Sequence, residues 1–168
     1  MPGRLHGVMR VAPQIVAAGT LSLETRGAGL VEFTADAAAF LAEVGASDGL
    51  LLVFLHHTSA SLTIQENADP DVRADLVAAL ARLAPEDAGW THVVEGADDM
   101  PAHVKTMLTG VSLHVPVTGG RLALGTWQGL YLVEHRRAPH RREITLQFVG
   151  GTVDSGRQVL EQDATTSR

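Results

Sequence analysis

The chain has no cysteine. That excludes disulfide staples and thiolate metal ligands, so any transition ion would have to be held by histidine and carboxylate. Basic clusters are equally scarce. None is longer than the pairs Arg136-Arg137 and Arg141-Arg142, and the formal net charge is -6, so no nucleic-acid partner is expected. Those four arginines flank a turn and read as a solvated hairpin tip. No apolar run approaches the ~18 residues of a membrane-spanning helix, and the first residues lack the apolar core of a signal peptide. The expectation is a cytoplasmic protein without a membrane partner.

What is present suits one globular domain: 168 residues, 45% of them hydrophobic. The domain is expected over residues 1–151, with a loosely ordered tail over 152–168. Ile15, Ala17, Leu21 and Leu23 share odd positions, the period of a half-buried strand. A second short strand at 30–33 leads to a helix that Thr34 or Asp36 can cap and Gly45 ends. Residues 50–55 are a continuous apolar run, which reads as a central strand covered on both faces. Asp69-Pro70 starts a helix, since Asp accepts from free N–H groups and Pro at the first position loses no needed donor. Val72, Leu76, Ala79, Leu80 and Leu83 then lay one stripe on the core.

Asp99 can cap a further helix to about Thr109, closed by Gly110. Strands follow at 111–117, 121–126, 128–135 and 142–149, with Gly119-Gly120 as a hairpin turn and Gly150-Gly151 closing the domain. Arg142 shares the parity of Ile144, Leu146 and Phe148, which aims it toward a cavity mouth. The pattern predicts an α+β domain: a mostly antiparallel β-sandwich or open barrel with two or three inserted helices.

Chemistry concentrates in two stretches, residues 56–71 and 95–105, with additions near Trp127 and His135. Of the eight histidines, His57, His92, His103 and His135 lie beside carboxylates, Gly or Thr at element ends, where side chains can converge. Their spacing matches no local metal motif such as His-Glu-x-x-His. His56 has the opposite parity to His57 and should face the other side of the sheet. Asp69, Asp71 and Asp99 are explained as caps and first-turn residues, whereas Glu66, Asp98 and Glu134 have no such role. The run Thr58-Ser59-Ala60-Ser61 reads either as a polar strand edge or as an anion site, for which Lys105 and Arg142 would supply positive charge. Trp127, between Gly125 and Gly129, reads either as a core residue at a strand kink or as a flat wall against a ring-shaped ligand.

Three runs together resemble the YjbQ family, also described as secondary thiamine-phosphate synthase. They are His57-Thr58-Ser59-Ala60-Ser61-Leu62-Thr63-Ile64-Gln65-Glu66-Asn67 with Asp69-Pro70-Asp71-Val72; Glu95-Gly96-Ala97-Asp98-Asp99-Met100-Pro101-Ala102-His103-Val104-Lys105; and Gly120-Arg121-Leu122-Ala123-Leu124-Gly125-Thr126-Trp127-Gln128-Gly129 with Glu134-His135-Arg136. The resemblance covers about residues 10–150. It implies a β-rich homotrimer with shared polar residues near subunit boundaries, and a weak ability to join a pyrimidine diphosphate to a thiazole phosphate, releasing pyrophosphate. Such chemistry needs cations for the departing charge and a divalent metal to bridge its oxygens.

The residues nominated for catalysis are His57, Glu66, Asn67, Asp98, His103, Lys105 and Glu134. Those nominated for substrate contact are Thr58, Ser59, Ser61, Thr126, Trp127, Gln128 and Arg142. His92, His103 and His135 are the candidate metal ligands, for Mg or Zn, and no organic cofactor is expected. The expected partner is a small phosphorylated metabolite. Two other readings stand beside the transferase: a His/carboxylate metal-dependent hydrolase or lyase on a phosphorylated metabolite, and a trimer that binds a metabolite or metal without catalysis.

Overall fold

The odd-position apolar residues of β1 (Ile15–Glu24) face inward and the even ones outward, as their alternation requires. The computed structural model describes residues 8–153. After β1 come β2 (Gly29–Glu32), α1 (Thr34–Glu43), β3 (Ala46–Leu55), β4 (Ala60–Glu66), α2 (Pro70–Leu83) and α3 (Asp99–Thr109). The remaining strands are β5 (Ser112–Thr118), β6 (Arg121–Leu122), β7 (Gln128–Glu134) and β8 (Arg141–Thr152). The strands form two antiparallel sheets, one ordered β1-β8-β3-β5-β6 and the other β2-β7-β4. With three helices among the described residues, the domain is α+β, as the sequence predicts.

The two sheets share one core. Leu51, Val53 and Leu55 of β3 meet Ile144, Leu146 and Phe148 of β8, Leu62 of β4, Leu130 and Leu132 of β7, and Phe33, Ala37 and Leu41 around α1. A corner joins the sheets where α3 ends. The Leu55 N–H donates to the Val111 carbonyl and the Leu62 N–H to the Gly110 carbonyl, each at 2.9 Å. Gly110, with φ of 90°, allows the chain to leave the helix there. Further along α3, toward its start, the 56–59 link, the end of β7, the 135–140 link and the start of β8 come together through the contacts His103–Thr58, Arg142–Ser59, Arg142–Glu134 and Arg136–Asp99.

Several expectations change. The helix expected from Thr34 or Asp36 has Phe33 at its cap position and no side-chain cap, because the Thr34 hydroxyl donates to Glu32 instead. Asp69 does cap α2, accepting from the Asp71 N–H at 2.9 Å. That helix buries no residue completely, however, and Leu83 is 67% exposed, so the predicted stripe is only half covered. β3 is the middle strand of its sheet, but Leu50 and Phe54 are each 40% exposed, so its outer face is not fully covered among the described residues.

The strand expected at 121–126 shrinks to two residues, and β8 runs past Gly150 and Gly151 to Thr152 instead of ending before them. Nor do the four arginines form a solvated tip. Arg136 and Arg142 are 15% and 0% exposed in their side chains, while Arg137 and Arg141 remain in solvent. The predicted tail lies outside the described residues from residue 154 onward.

Candidate functional site

Asp99 opens α3 but does not cap it. Asp98 occupies the cap position without a side-chain cap bond, and the Asp99 side chain is only 2% exposed. Its Oδ2 lies 2.8 Å from His92 Nε2 and 3.2 Å from His103 Nε2. Asp99 and His103 are four apart and so share a helix face, while His92 arrives from the preceding loop. On its other oxygen Asp99 is paired with Arg136 Nη1. Burial works to raise the Asp99 carboxyl, but the His92 hydrogen bond and the charges of Arg136, His103 and His92 outweigh it and hold it below the usual carboxylate range. Arg136 also donates through Nε to Asp98 at 3.2 Å and through Nη2 to the Glu95 carbonyl at 2.7 Å, which ties the loop to the end of β7.

The tautomer of His103 follows from its other nitrogen. Nδ1 lies 2.9 Å from the Thr58 carbonyl, which only accepts, so Nδ1 carries the proton. In the neutral ring Nε2 then turns a lone pair toward the Asp99 carboxylate, an arrangement that calls for a cation between them, either a proton or a metal ion. The ligand atoms of His92, Asp99 and His103 all lie within 4.8 Å of one another. Two histidines and one carboxylate, with the carboxylate and one histidine anchored by outer partners, is a donor set suited to a divalent transition ion with open coordination positions.

The triad lies between two depressions. His103, with Phe54, His57, Thr58, Met107 and Val111, lines a cleft of about 590 Å³. His92, with Trp90 and Glu86, lines another of about 380 Å³.

Behind His57 is a buried polar network. Glu134 takes a two-pronged ion pair from Arg142, Nε to Oε2 at 2.8 Å and Nη2 to Oε1 at 2.7 Å, and further bonds from Thr25 and the Arg136 N–H. Burial pushes the Glu134 carboxyl up, but these donors and the Arg142 charge more than offset it, so it sits below its ordinary value. Arg142 is therefore enclosed between the sheets and not at a cavity mouth, because the Glu134 carboxylate neutralises it there. Ser59 is buried against Arg142 and His57. Ser61 is buried against His135, its Oγ 2.9 Å from Nε2, and burial lowers that imidazole to about 4, assisted by the Lys105 charge.

The nominated residues thus fall into separate places. His57, Thr58 and His103 line the larger cleft, and His92 joins His103 through Asp99. The third proposed metal ligand, His135, faces Ser61 instead of the triad. Lys105, two residues from His103 and so on a different side of α3, borders a recess with Glu134 and His135. Burial lowers its ammonium despite Glu86 and Asp98. Asp98 is occupied by Arg136 and the Arg137 N–H. Glu66, Asn67, Thr126, Trp127 and Gln128 gather at the other end of the smaller sheet, where Glu66 pairs with Gln128 six positions from the Ala60–Glu134 pair. At roughly 3.4 Å per residue that is about 20 Å away. Trp127 is 64% exposed there, not part of the core.

Asp99 and Arg136 are the residues that sequence reasoning missed. The signal was the four-residue spacing of Asp99 and His103, which sets them on one helix face. His56 turns to the outer face, 2.7 Å from the Thr145 hydroxyl, yet it also borders the cleft that His57 lines, so its opposite parity does not remove it from that site.

Fold and site together define a small two-sheet α+β protein with a histidine–carboxylate centre at the corner where its sheets meet. Residues 19–151 match the family model described as UPF0047 protein YjbQ-like, and the chain belongs to that family. UPF0047 protein sll1880 of Synechocystis is 50% identical over 131 residues, covering 77% of this chain and 89% of the relative. UPF0047 protein YjbQ of Salmonella typhimurium is 54% identical over 59% of this chain and 73% of its own. A solved structure of an uncharacterized YjbQ/UPF0047 family protein from Clostridium acetobutylicum superposes with a TM-score of 0.72 at 37% identity, over 77% of this chain and 98% of that one.

Proposed function

We propose that this chain is an enzyme that holds a divalent transition ion through His92, Asp99 and His103 and acts on a small phosphorylated metabolite in the adjoining cleft, by hydrolysis or elimination. The observation that carries this reading is the orientation of His103. Its proton is committed to the Thr58 carbonyl, and its free Nε2 faces a carboxylate that also takes His92. A divalent ion in that position would supply Lewis acidity to a phosphoryl oxygen. Two nitrogens and one oxygen favour a zinc-like ion over magnesium, which prefers oxygen. Arg136 keeps the Asp99 carboxylate ionised and turned toward the histidines. The cleft of about 590 Å³ is of metabolite size.

Thiamine-phosphate formation is the second reading, favoured by the same centre because diphosphate departure also calls for a divalent ion. Trp127, the candidate wall for a ring-shaped ligand, and the cations Lys105 and Arg142 do not line this cleft among the described residues, so the hydrolase or lyase reading comes first. A homotrimer is part of the proposal, since the outer face of the larger sheet carries apolar side chains that a second copy would cover.

The test uses protein purified without a histidine tag and reloaded with zinc, manganese or magnesium. It is offered a panel of phosphate mono- and diesters and, separately, the two thiamine precursors. The proposal expects turnover of a phosphate substrate that depends on the ion and falls at least a hundredfold in Asp99→Asn and His103→Ala variants that stay folded. Turnover that is independent of metal and unchanged in both variants would overturn it, and product from the thiamine precursors alone would move the second reading to first place.

A further inference from the structure

His57 is fixed by its own loop. Its Nδ1 lies 3.0 Å from the Thr58 N–H nitrogen, 3.1 Å from that of Ser59 and 3.2 Å from the Ser59 hydroxyl. Backbone N–H groups only donate, so Nδ1 is an acceptor and the proton of the neutral ring resides on Nε2. The ring lines the larger cleft, and Nε2 has no partner among the described residues. Ser59 can give its single hydroxyl proton to Nδ1 because its oxygen already accepts from Arg142 Nη2 at 3.3 Å. Arg142 is in turn held by Glu134. A chain of contacts therefore runs from a buried ion pair through one hydroxyl to an imidazole in the cleft.

We propose that His57 is a fixed neutral hydrogen-bond donor, presenting Nε2–H to an anionic oxygen in the cleft, and that Ser59 with the Arg142–Glu134 pair are positioning residues that set this form. The proposal rests on the metabolite cleft described above and names the chemistry of one wall of it: an oxygen carrying negative charge, as on a phosphoryl or departing group, with no proton transferred. The charged and titratable groups around the ring are Arg142 on β8, Glu134 on β7, His140 in the link before β8 and His103 on α3, with His56 next to it on the same cleft. Burial first, then the Arg142 charge, lowers the His57 imidazole below its ordinary 6.5, with Glu134 opposing. This agrees with the donor pattern, since a protonated ring would set an Nδ1–H against two backbone N–H groups. The ring is thereby unsuited to bind a metal through Nε2, which separates its role from that of His103.

The experiment is nitrogen-15 NMR of the histidine side chains in the full chain, with His57→Gln to assign the signals. The expected result is a single His57 tautomer, Nε2–H with bare Nδ1, whose protonation midpoint lies below that of an exposed histidine. In Ser59→Ala the midpoint should move upward while the tautomer persists, because the two backbone donors remain. In the double variant Glu134→Gln/Arg142→Gln, which leaves no unpaired charge, the midpoint should also move upward, because the Arg142 charge that is lost outweighs the opposing charge of Glu134. A wild-type His57 with its proton on Nδ1, or with an ordinary midpoint, would overturn the proposal, and so would a midpoint indifferent to Ser59→Ala. None of these readouts needs turnover or a bound metal. Failure of the metal-enzyme reading therefore shows in the metal and activity measurements, and failure of the donor assignment shows here.

Discussion

Asp99 shows how far a single residue can depart from its local explanation. An Asp at the start of a helix has a ready structural role, and cap chemistry accounts for it from sequence alone. Burial changes the balance: a carboxylate with a 2% exposed side chain must be paired, and Arg136, His92 and His103 pair it. Glu134 was legible because a carboxylate ending an apolar strand face has to find a partner, but Arg142 could not be named as that partner, since the two come from different sheets. Removing either one leaves a buried charge alone, so Glu134→Gln or Arg142→Met singly should destabilise by about 3–5 kcal/mol. Chemical denaturation should show the combined variant losing far less than the sum.

His135 gives a pH signature with a definite sign. The unfolded chain takes a proton on this group below 6.5, while the folded chain keeps it neutral down to about 4. Stability is therefore lost as pH falls from 6.5 toward 4, by up to about 3 kcal/mol. In His135→Gln this dependence should shrink when denaturation midpoints are compared at pH 7 and pH 5, with the smaller remainder coming from His57, whose imidazole is also lowered in the fold. Glu134 adds a further loss at lower pH. Its depressed carboxyl contributes stability that is full above the ordinary value of 4.5 and lost as pH falls below it.

Among the elements, those with a clear period or a clear cap chemistry were legible. β1, β5 and β8 alternate, and α2 begins at Asp69-Pro70. Asp69→Ala should lower stability by about 1 kcal/mol, measurable by thermal unfolding. Strand limits were harder, because glycine suggests an end yet serves here for close approach. A Cβ on Gly150 would lie 2.4 Å from the Asp48 carbonyl oxygen and 2.8 Å from the Gly49 Cα, so the β3–β8 contact at this bulge requires glycine on both strands. Gly150→Ala should shift or unpair the end of β8, visible as faster amide exchange at residues 149–152. The short β6 was overestimated because apolar residues 122 and 124 continue an alternation that the backbone does not follow.

At the scale of the whole molecule, sequence proximity and spatial proximity part company. His57, Glu66 and Asn67 are nominated together for catalysis from one short stretch, but β4 carries the two ends of that stretch to opposite ends of the smaller sheet. No periodicity reveals that, since it depends on which strands pair. The outer face of the larger sheet is a second whole-molecule feature. Val16, Val149, Leu50 and Pro116 form one apolar row across four strands, through the pairs Val16↔Val149, Leu50↔Val149 and Leu50↔Pro116. The apolar run in β3 suggested coverage on both faces, and a second copy would provide it. Light scattering should give the mass of a trimer for the natural chain and a smaller species for Leu50→Glu, whereas a monomer in both would remove the homotrimer from the proposal.

If His92, Asp99 and His103 hold a divalent ion, the ion should be retained by the natural chain and lost when Asp99 is neutralised. Elemental analysis after zinc loading and dialysis tests this, on untagged natural chain and on folded Asp99→Asn side by side. About one ion per chain is expected in the natural protein, and a large loss in the variant. Equal retention by both proteins, or none by either, would contradict it.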